Sequence, residues 1–176
     1  MQLSAIRPED LLLPVVHVWE SQWLLLASGD FAAQDWNCMT VGWGSFGVMW
    51  GRPFAQVVVR PTRHTIRFIE RFDSFTLCAF PEAFRPALSW LGSHSGRDGD
   101  KVKQSGLTPV ASRCVGSPSF QEAELVVECR IIYRQDLDPA LFLDPTIEKN
   151  YPRKDYHRVY FGEIAAAAGT AAWQKE

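Results

Sequence analysis

The sequence predicts a mainly β protein with short helices, folded as a single domain. Its apolar runs are short, rich in Val, Ile, Phe and Trp, and are interrupted by Gly, Pro and Asp at intervals typical of antiparallel strands. Only short helical segments separate these runs, which favours a closed or partly closed barrel over a doubly wound sheet. A chain of 176 residues with 47% hydrophobic types can bury one core. We therefore treat residues 1–176 as one domain with a core at about residues 20–165.

Six strands and three helices are predicted. The strands cover residues 23–28, 37–44, 54–60, 74–80, 125–135 and 158–165. Thr65 is expected to cap a helix over residues 66–71, residues 81–91 have a helical apolar rhythm, and Asp98 is expected to start a short helix that ends at Gly106. The alanine-rich segment 165–172 is predicted to be a frayed terminus.

Composition argues against several classes of function. A formal net charge of -2 and a pI near 6.1 give no reason to expect a nucleic-acid or membrane partner. Charged residues at positions 7, 9 and 10 and a proline at 14 predict neither a signal peptide nor a spanning helix, so a cytoplasmic location is expected. The four cysteines are far apart and are expected to be reduced thiols, and no ligand spacing predicts a metal site.

The most informative local pattern lies between the strand at 54–60 and the helix at 66–71. Arg60 and Arg63, the hydroxyl of Thr65 and free backbone N–H groups at a helix start predict an anion site suited to phosphate. The alternative is that the two arginines pair with acids such as Glu70 or Asp73 at the surface. The pattern by itself leaves both interpretations open.

A second polar cluster covers residues 93–101. Ser95 and Lys101 could extend the anion site, or Arg97 could pair internally with Asp98 or Asp100. No Gly-x-Gly-x-x-Gly follows a strand, and no Walker-type motif or nucleophile elbow occurs. A Rossmann dinucleotide site, a P-loop and a serine hydrolase are therefore not predicted.

The sequence leaves two interpretations open for three of its tryptophans and for one histidine. Trp36, Trp43 and Trp50 cluster around glycines, which fits core packing or a flat ligand against a strand. His157 lies in a predicted strand, where a neutral imidazole could serve as a donor or acceptor near a cofactor. A surface or dimer-contact histidine is the alternative.

Five segments in this order resemble the flavin reductase-like family, in particular its flavoredoxin-like branch, from about residue 23 to about residue 164. Each motif is weak alone, but five in register are specific. One departure is His64, where a tyrosine is more often expected. The segments are Asn37-x-Met39-Thr40-x-Gly42-Trp43-Gly44, Trp50-Gly51-Arg52-Pro53, Val59-Arg60-Pro61-Thr62-Arg63-His64-Thr65, Ser95-Gly96-Arg97-Asp98-x-Asp100-Lys101, and Asp155-Tyr156-His157-Arg158 with Gly162-Glu163-Ile164.

The resemblance implies an FMN-binding split β-barrel of the Greek-key type that works as a homodimer, with non-covalent FMN near the subunit interface. It places the isoalloxazine ring at one strand and the phosphate at the turn that follows another. The polar loop approaches the flavin tail or the neighbouring subunit, and His157 lies near the cofactor. The cofactor residues implied are Asn37, Met39, Thr40, Val41, Gly42 and Trp43 for the ring, Arg60, Arg63, His64 and Thr65 for the phosphate side, and Ser95 and Lys101 in the loop.

The resemblance also implies that the flavin performs the chemistry, so no catalytic side chain is expected, with His157 as the one possible exception. NADH or NADPH would be the electron donor, and a second flavin, a redox protein or an oxygenase the acceptor. Three classes stay open: an NAD(P)H:FMN oxidoreductase, that is, a flavin reductase; a non-enzymatic flavoredoxin-type electron carrier; and a split-barrel ligand-binding protein without flavin chemistry. The retained cations and Thr65 argue against the third class.

Overall fold

One antiparallel sheet of eight strands forms most of the protein, which a computed structural model describes from residue 2 to residue 175. The strands are β1 (Ser4–Ile6), β2 (Leu24–Asp30), β3 (Asp35–Val41), β4 (Gly44–Met49), β5 (Arg52–Val59), β6 (Ser74–Ala79), β7 (Pro109–Val110), β8 (Ser119–Phe120), β9 (Leu125–Asp136) and β10 (Arg158–Gly169). The order in the large sheet is β3-β2-β6-β9-β10-β5-β4, with β1 also paired to β10, while β7 and β8 form a small hairpin. Within residues 2–175 the end strands β3 and β4 do not pair, so the barrel is split, as predicted.

The helices are short and lie at the ends of strands. They are α1 (Val15–His17), which continues as a π-helical turn at Val18–Gln22, α2 (Ile66–Arg71), α3 (Arg85–Ser93) and α4 (Lys101–Ser105). Further 3₁₀ turns lie at Pro8–Asp10, Glu82–Phe84, Pro139–Leu141, Pro145–Asn150 and Ala171–Trp173. No helix in the described part of the chain is long and apolar enough to cross a membrane.

The sheet is buried on both faces around β2 and β6. Because alternate residues of a strand point to opposite faces, Leu24 and Leu26 pack in the barrel interior while Leu25 joins a second cluster. Leu88 and Leu91 of α3 complete that second cluster on the outer face. This layer fixes α3 against the sheet, next to β3.

Two strands of the large sheet and both strands of the β7–β8 hairpin were not predicted, and β10 is longer than predicted. β4 forms a hairpin with β5 through Trp50 and Gly51, and it was missed because none of its residues is buried and its apolar residues are interrupted by glycine. The short β1 also went unpredicted. The expected frayed end at 165–172 is wrong, since β10 runs to Gly169 between β1 and β9 and is followed by the buried Trp173.

The helix boundaries also differ from prediction. Residues 81–91 divide into the turn at Glu82–Phe84 and α3. Asp98 does not start the next helix, because Asp100 caps α4 by accepting a hydrogen bond from the Lys103 amide at 3.0 Å. The predicted end at Gly106 is confirmed, with Gly106 in the left-handed conformation (φ 75°) that favours glycine.

Candidate functional site

Two adjoining cavities lie between β3, the end of β5 and the loop that follows α3. The strand cavity, of about 200 Å³, is lined by residues 39–43 together with Val58, Arg60, Arg63 and His157. The loop cavity, of about 110 Å³, is lined by Asn37, Met39, residues 62–65, residues 91–97 and Lys101. They share Met39 and Arg63, so they form one continuous groove. All twelve predicted cofactor residues line one cavity or the other, and so does His157.

The strand β3 is held against α3 by a polar contact and a small residue. The Thr40 hydroxyl donates a hydrogen bond to the Leu88 carbonyl at 2.5 Å. A Cβ at Gly92 would lie 3.2 Å from the Cβ of Thr40, so a glycine here allows α3 to approach β3 closely. The groove therefore has one rigid wall formed by β3.

The side chains of Asn37 and Thr65 are hydrogen-bonded to each other. The Asn37 amide donates to the Thr65 hydroxyl at 2.8 Å and to the Cys38 carbonyl at 3.2 Å. The Thr65 hydroxyl donates to the same carbonyl at 3.4 Å. Thr65 occupies the N-cap position of α2, as predicted, but its hydroxyl makes no capping hydrogen bond, because it ties the α2 turn to β3 instead.

Two backbone amides at the start of α2, those of Ile66 and Arg67, are also hydrogen-bonded within the turn. The amides of Ile66 and Arg67 donate to the carbonyls of Arg63 and His64, each at 3.2 Å. The predicted free N–H groups at the helix start are therefore not those of Ile66 and Arg67. The amides of His64 and Thr65, just before α2, donate no hydrogen bond within residues 2–175, so they and the side chains are the groups available to an anion.

Three cations converge on the loop cavity. Arg63 donates to the Gly92 carbonyl and Arg97 to the Thr62 carbonyl, each at 3.2 Å. Within residues 2–175, none of the ion pairs includes Arg63, Arg97 or Lys101. The alternative in which Arg97 pairs with Asp98 or Asp100 is therefore not found in this part of the chain.

Lys101 is the most buried of these cations, with 5% of the residue exposed. Its Nζ donates to the carbonyls of Leu91, at 2.8 Å, and His94, at 3.0 Å. Since an ammonium group has three donors, one N–H is left for a ligand. Burial, together with the charge of Arg63, lowers the pKa of Lys101. A negative charge in the loop cavity would offset this cost.

His64 presents a second unsatisfied group. Its Nδ1 is buried and has no hydrogen-bond partner among residues 2–175. Burial and the nearby charges of Arg97 and Arg67 lower the pKa of this imidazole. The ring is therefore neutral at pH 7, and its free nitrogen matches a ligand atom that can donate or accept.

Of the two arginines that line the strand cavity, Arg60 is paired. Arg60 forms an ion pair with Asp155 at 2.9 Å and donates to the Asn150 carbonyl at 2.8 Å. The hydrogen bond from Arg60 holds the pKa of Asp155 below its usual value. Neither predicted acid is the partner, since Glu70 pairs with Arg158 instead. The positive charge of Arg60 is thus largely neutralised by Asp155.

His157 is buried in the wall of the strand cavity. Its Nδ1 shares a 2.8 Å hydrogen bond with the Tyr151 hydroxyl, and its ring lies 5.2 Å from that of Trp43. Burial, and secondarily the charge of Arg60, lowers the pKa of His157 to about 4. The strand cavity is consequently flanked by a neutral imidazole at pH 7.

Trp36, Trp43 and Trp50 have separate environments. Trp43 is 51% exposed at the rim of the strand cavity. Trp50 lies at the β4–β5 turn beside Tyr133 and Phe161. Trp36 packs against Phe31 and Phe120 and lines neither cavity. Only Trp43 can face a ligand in this groove.

Sequence reasoning missed several lining residues. Gly96 and Arg97 belong to the polar loop and could have been named from its composition, as could Ser93 and His94. Val58, Leu91 and Gly92 carry no polar signature, so only their place in the fold brings them to the groove.

Comparison with known proteins agrees with this architecture. Residues 23–169 match the family model described as "Flavin reductase like domain". The chain is 29% identical over 150 residues to the uncharacterized protein YddH of Escherichia coli (strain K12), covering 84% of this chain and 70% of the relative.

Two solved structures share the fold. Flavoredoxin of Desulfovibrio vulgaris (Miyazaki F) superposes with a TM-score of 0.66 at 20% identity, covering 92% of this chain and 75% of that one. Nitrilotriacetate monooxygenase component B from Bacillus cereus gives 0.67 at 14% identity, covering 88% and 74%. With five motifs in register, a split barrel and a family match over most of its length, the chain belongs to the flavin reductase-like family.

Proposed function

We propose that this protein binds FMN non-covalently and reduces it with NADH or NADPH, as a flavin reductase. The observation that carries the proposal is the groove itself, which has the buried, unpaired Lys101 at one end and, at the other, apolar side chains beside the paired Arg60 and the neutral His157. A flavin nucleotide has the same polarity, since its ring is flat and uncharged and its tail ends in a phosphate. Membership of the flavin reductase-like family supports the same assignment.

The loop cavity suits the phosphate. Arg63, Arg97 and Lys101 offer donors whose charge is not neutralised by an acid within residues 2–175. Charge-assisted bonds to phosphate are the strongest class of hydrogen bond in proteins. Ser95 adds a hydroxyl, and the orphaned nitrogen of His64 gains a partner. We assign Arg60, whose charge is paired, to the ring end rather than to the phosphate.

The strand cavity suits the isoalloxazine ring. β3 pairs with β2 on one side only, so alternate N–H and C=O groups on its other side are free to bind a ligand edge. Met39 and Val58 supply apolar surface, and Trp43 covers the rim. When bound, the flavin supplies the redox chemistry, accepting a hydride from the nicotinamide and passing electrons onward. The protein orients the ring, beside which Arg60 is paired and Arg63, shared by the two cavities, has no acid partner within residues 2–175.

A second copy of the chain is part of the proposal. Val48 and Trp50 on the β4–β5 hairpin are 73% and 60% exposed, and large exposed apolar side chains favour an interface. We propose a homodimer that uses this hairpin. The oxygenase component named above makes an oxygenase or another redox protein a reasonable electron acceptor.

A visible absorption spectrum tests the proposal. Purified protein is mixed with excess FMN, passed through a desalting column, and then treated with NADH or NADPH without oxygen. Retained flavin absorbance that either nucleotide bleaches is the expected result. Retained flavin that neither nucleotide bleaches would contradict the reductase and indicate an electron carrier. No retained flavin would remove FMN as a tightly bound cofactor.

A further inference from the structure

A separate cavity adjoins the strand cavity, with which it shares Gly42 and Trp43. It encloses about 400 Å³, more than the strand cavity or the loop cavity. We call it the indole cavity, because three tryptophans contribute to its wall. The residues that line it are Val15, Val16, Trp19, Glu20, Trp23, Gly42, Trp43 and Gly44.

The backbone at Trp23 is held in an unfavourable conformation. Its φ of 64° and ψ of 155° lie in a region that glycine adopts most easily, and it directly follows the π-helical turn at Val18–Gln22. The Arg85 guanidinium lies over the Trp23 indole, 3.5 Å from the ring centroid, and donates to the Ser21 carbonyl. Strained residues and π-helical turns are frequent at functional sites, so the placement of this ring in the cavity wall indicates a function.

A second tryptophan of the cavity wall has an unsatisfied donor. Trp19 is 5% exposed, and its Nε1 is buried without a hydrogen-bond partner among residues 2–175. An indole N–H can only donate, and a buried donor without an acceptor is costly. A ligand oxygen that accepted this hydrogen bond would remove the cost. The expected ligand therefore carries a hydrogen-bond acceptor.

The charge of the indole cavity is opposite to that of the loop cavity. Among the described residues that line it, Glu20 is the only charged one, and it is exposed. Val15 and Val16 add apolar surface and are 40% and 73% exposed. A carboxylate repels phosphates and other carboxylates, so the cavity does not suit a nucleotide. It suits an apolar ligand without negative charge.

We propose that the indole cavity binds a neutral, planar aromatic molecule that carries a carbonyl oxygen. The ring packs against the indoles of Trp23 and Trp43, and the oxygen accepts the hydrogen bond from Trp19. Glu20 sets the specificity by excluding aromatic carboxylates. The inference goes beyond the proposed function, and it does not depend on whether FMN binds.

The first arm of the test compares acetophenone, a neutral ketone, with benzoate, an anion of the same size. NMR titration of the protein is expected to show acetophenone binding about tenfold more tightly, because benzoate is repelled by Glu20. Glu20→Gln should raise the affinity for benzoate and leave that for acetophenone unchanged. Glu82→Gln is the matched control, since Glu82 is an exposed acid that does not line this cavity.

The second arm follows the indole N–H signal of Trp19, which is assigned by its loss in Trp19→Phe. Saturation with acetophenone should move this signal to lower field, as a new hydrogen bond requires. Trp19→Phe keeps a ring and removes the donor, so it should weaken acetophenone binding about tenfold. Toluene, which has no oxygen, should bind the variant and the native protein equally.

The third arm separates the two roles of Trp23. Trp23→Ala and Trp23→Gly both remove the indole, so they should weaken acetophenone binding by the same factor. Only glycine tolerates the backbone conformation, so Trp23→Gly should be the more stable of the two in urea unfolding. Native acetophenone affinity in both variants would contradict the assignment of Trp23 to the site.

Three results would overturn the proposal. Benzoate could bind as tightly as acetophenone, the Trp19 signal could stay in place at saturation, or the folded protein could fail to bind acetophenone. The last result would leave Val15 and Val16 as a surface for another protein chain. Failure to bind FMN would overturn the proposed function instead, since these titrations are made without FMN.

Discussion

The two ends of the groove differ in whether their cations have acid partners. At the strand cavity Arg60 is neutralised by Asp155, and His157 is uncharged and bonded to Tyr151. At the loop cavity Arg63 and Lys101 have no acid partner within residues 2–175, and Lys101 is almost fully buried. Burying a cation without a counter-ion is costly, so we expect a bound anion to stabilise the loop cavity through Lys101.

This difference implies separate roles for the two cavities: the loop cavity would set the affinity for the ligand, and the strand cavity would set the electrostatic environment of the flavin ring. Under the proposed function, unpaired cations at the loop cavity supply binding energy for a phosphate whatever its attached group. Because Arg60 is paired and His157 is neutral, the field at the ring is then set by backbone dipoles and by Arg63, which the two cavities share. Variants at the two ends should therefore have different effects, and the following predictions are ordered by their expected size.

Replacement of Lys101 is expected to have the largest effect. Lys101→Met should weaken FMN binding by about 3 kcal/mol, since a buried charge-assisted bond to phosphate is lost. Riboflavin, which lacks the phosphate, should bind the variant and the native protein equally. Fluorescence titration with both ligands measures the difference. An equal loss for both ligands would mean that Lys101 shapes the pocket and does not bind phosphate.

Replacement of Arg63 should have a similar but smaller effect. Arg63→Ala should weaken FMN binding by about 2 kcal/mol, within the range for a charged hydrogen bond, because its guanidinium is exposed. Arg67→Ala is the matched control, since Arg67 lies nearby on α2 and lines neither cavity. Unchanged FMN affinity in a folded Arg63→Ala protein would remove the phosphate assignment.

Replacement of Arg60 tests the difference between the two ends of the groove. Arg60→Gln breaks the ion pair with Asp155, so it should lower the free energy of unfolding while keeping the preference for FMN over riboflavin. A loss of that preference as large as the one in Arg63→Ala would show that the two ends of the groove do not differ as described.

The buried His157 predicts a pH dependence of stability. An unfolded chain takes up a proton on histidine near pH 6.5, whereas the folded protein does so only near pH 4. Between these values the unfolded state binds more protons, so the free energy of unfolding should fall by about 2 kcal/mol as the pH drops from 6.5 to 4.

His157→Gln keeps a polar partner for Tyr151 and cannot titrate, so it isolates this contribution. Urea unfolding of both proteins across this pH range measures it. Parallel curves for the two proteins would mean that His157 does not titrate in this window.

Local patterns predicted most of the sheet and the composition of the groove, but not its pairings. Strands such as β2 and β6 follow from apolar runs alone. The partner of Arg60 lies 95 residues away, so no local pattern could identify Asp155. Thr65 has the residue type of a helix cap, yet a tertiary hydrogen bond with Asn37 takes its hydroxyl. Local sequence patterns therefore identify which side chains lie in the groove, whereas the tertiary fold determines the hydrogen-bond and ion-pair partner of each one.

Errors at element boundaries have similar causes. Asp98 and Asp100 are equally good helix caps by type, and the loop geometry selected Asp100. β10 extends past its predicted end because β1 supplies a neighbour from the other end of the chain. Such a neighbour leaves no trace in the alanine-rich segment itself.

The position of β10 also sets the order of folding during synthesis. β10 is the only link between β9 and β5 in the described sheet, so β4 and β5 remain separate from the other half until it arrives. Residues of β5 pair with residues about a hundred positions later, and such distant pairing is slow. On the ribosome, the hairpin of β4 and β5 emerges early and must wait, with its exposed apolar tip, until nearly the whole domain has been translated. Chaperones would meet this hairpin before the rest of its sheet does.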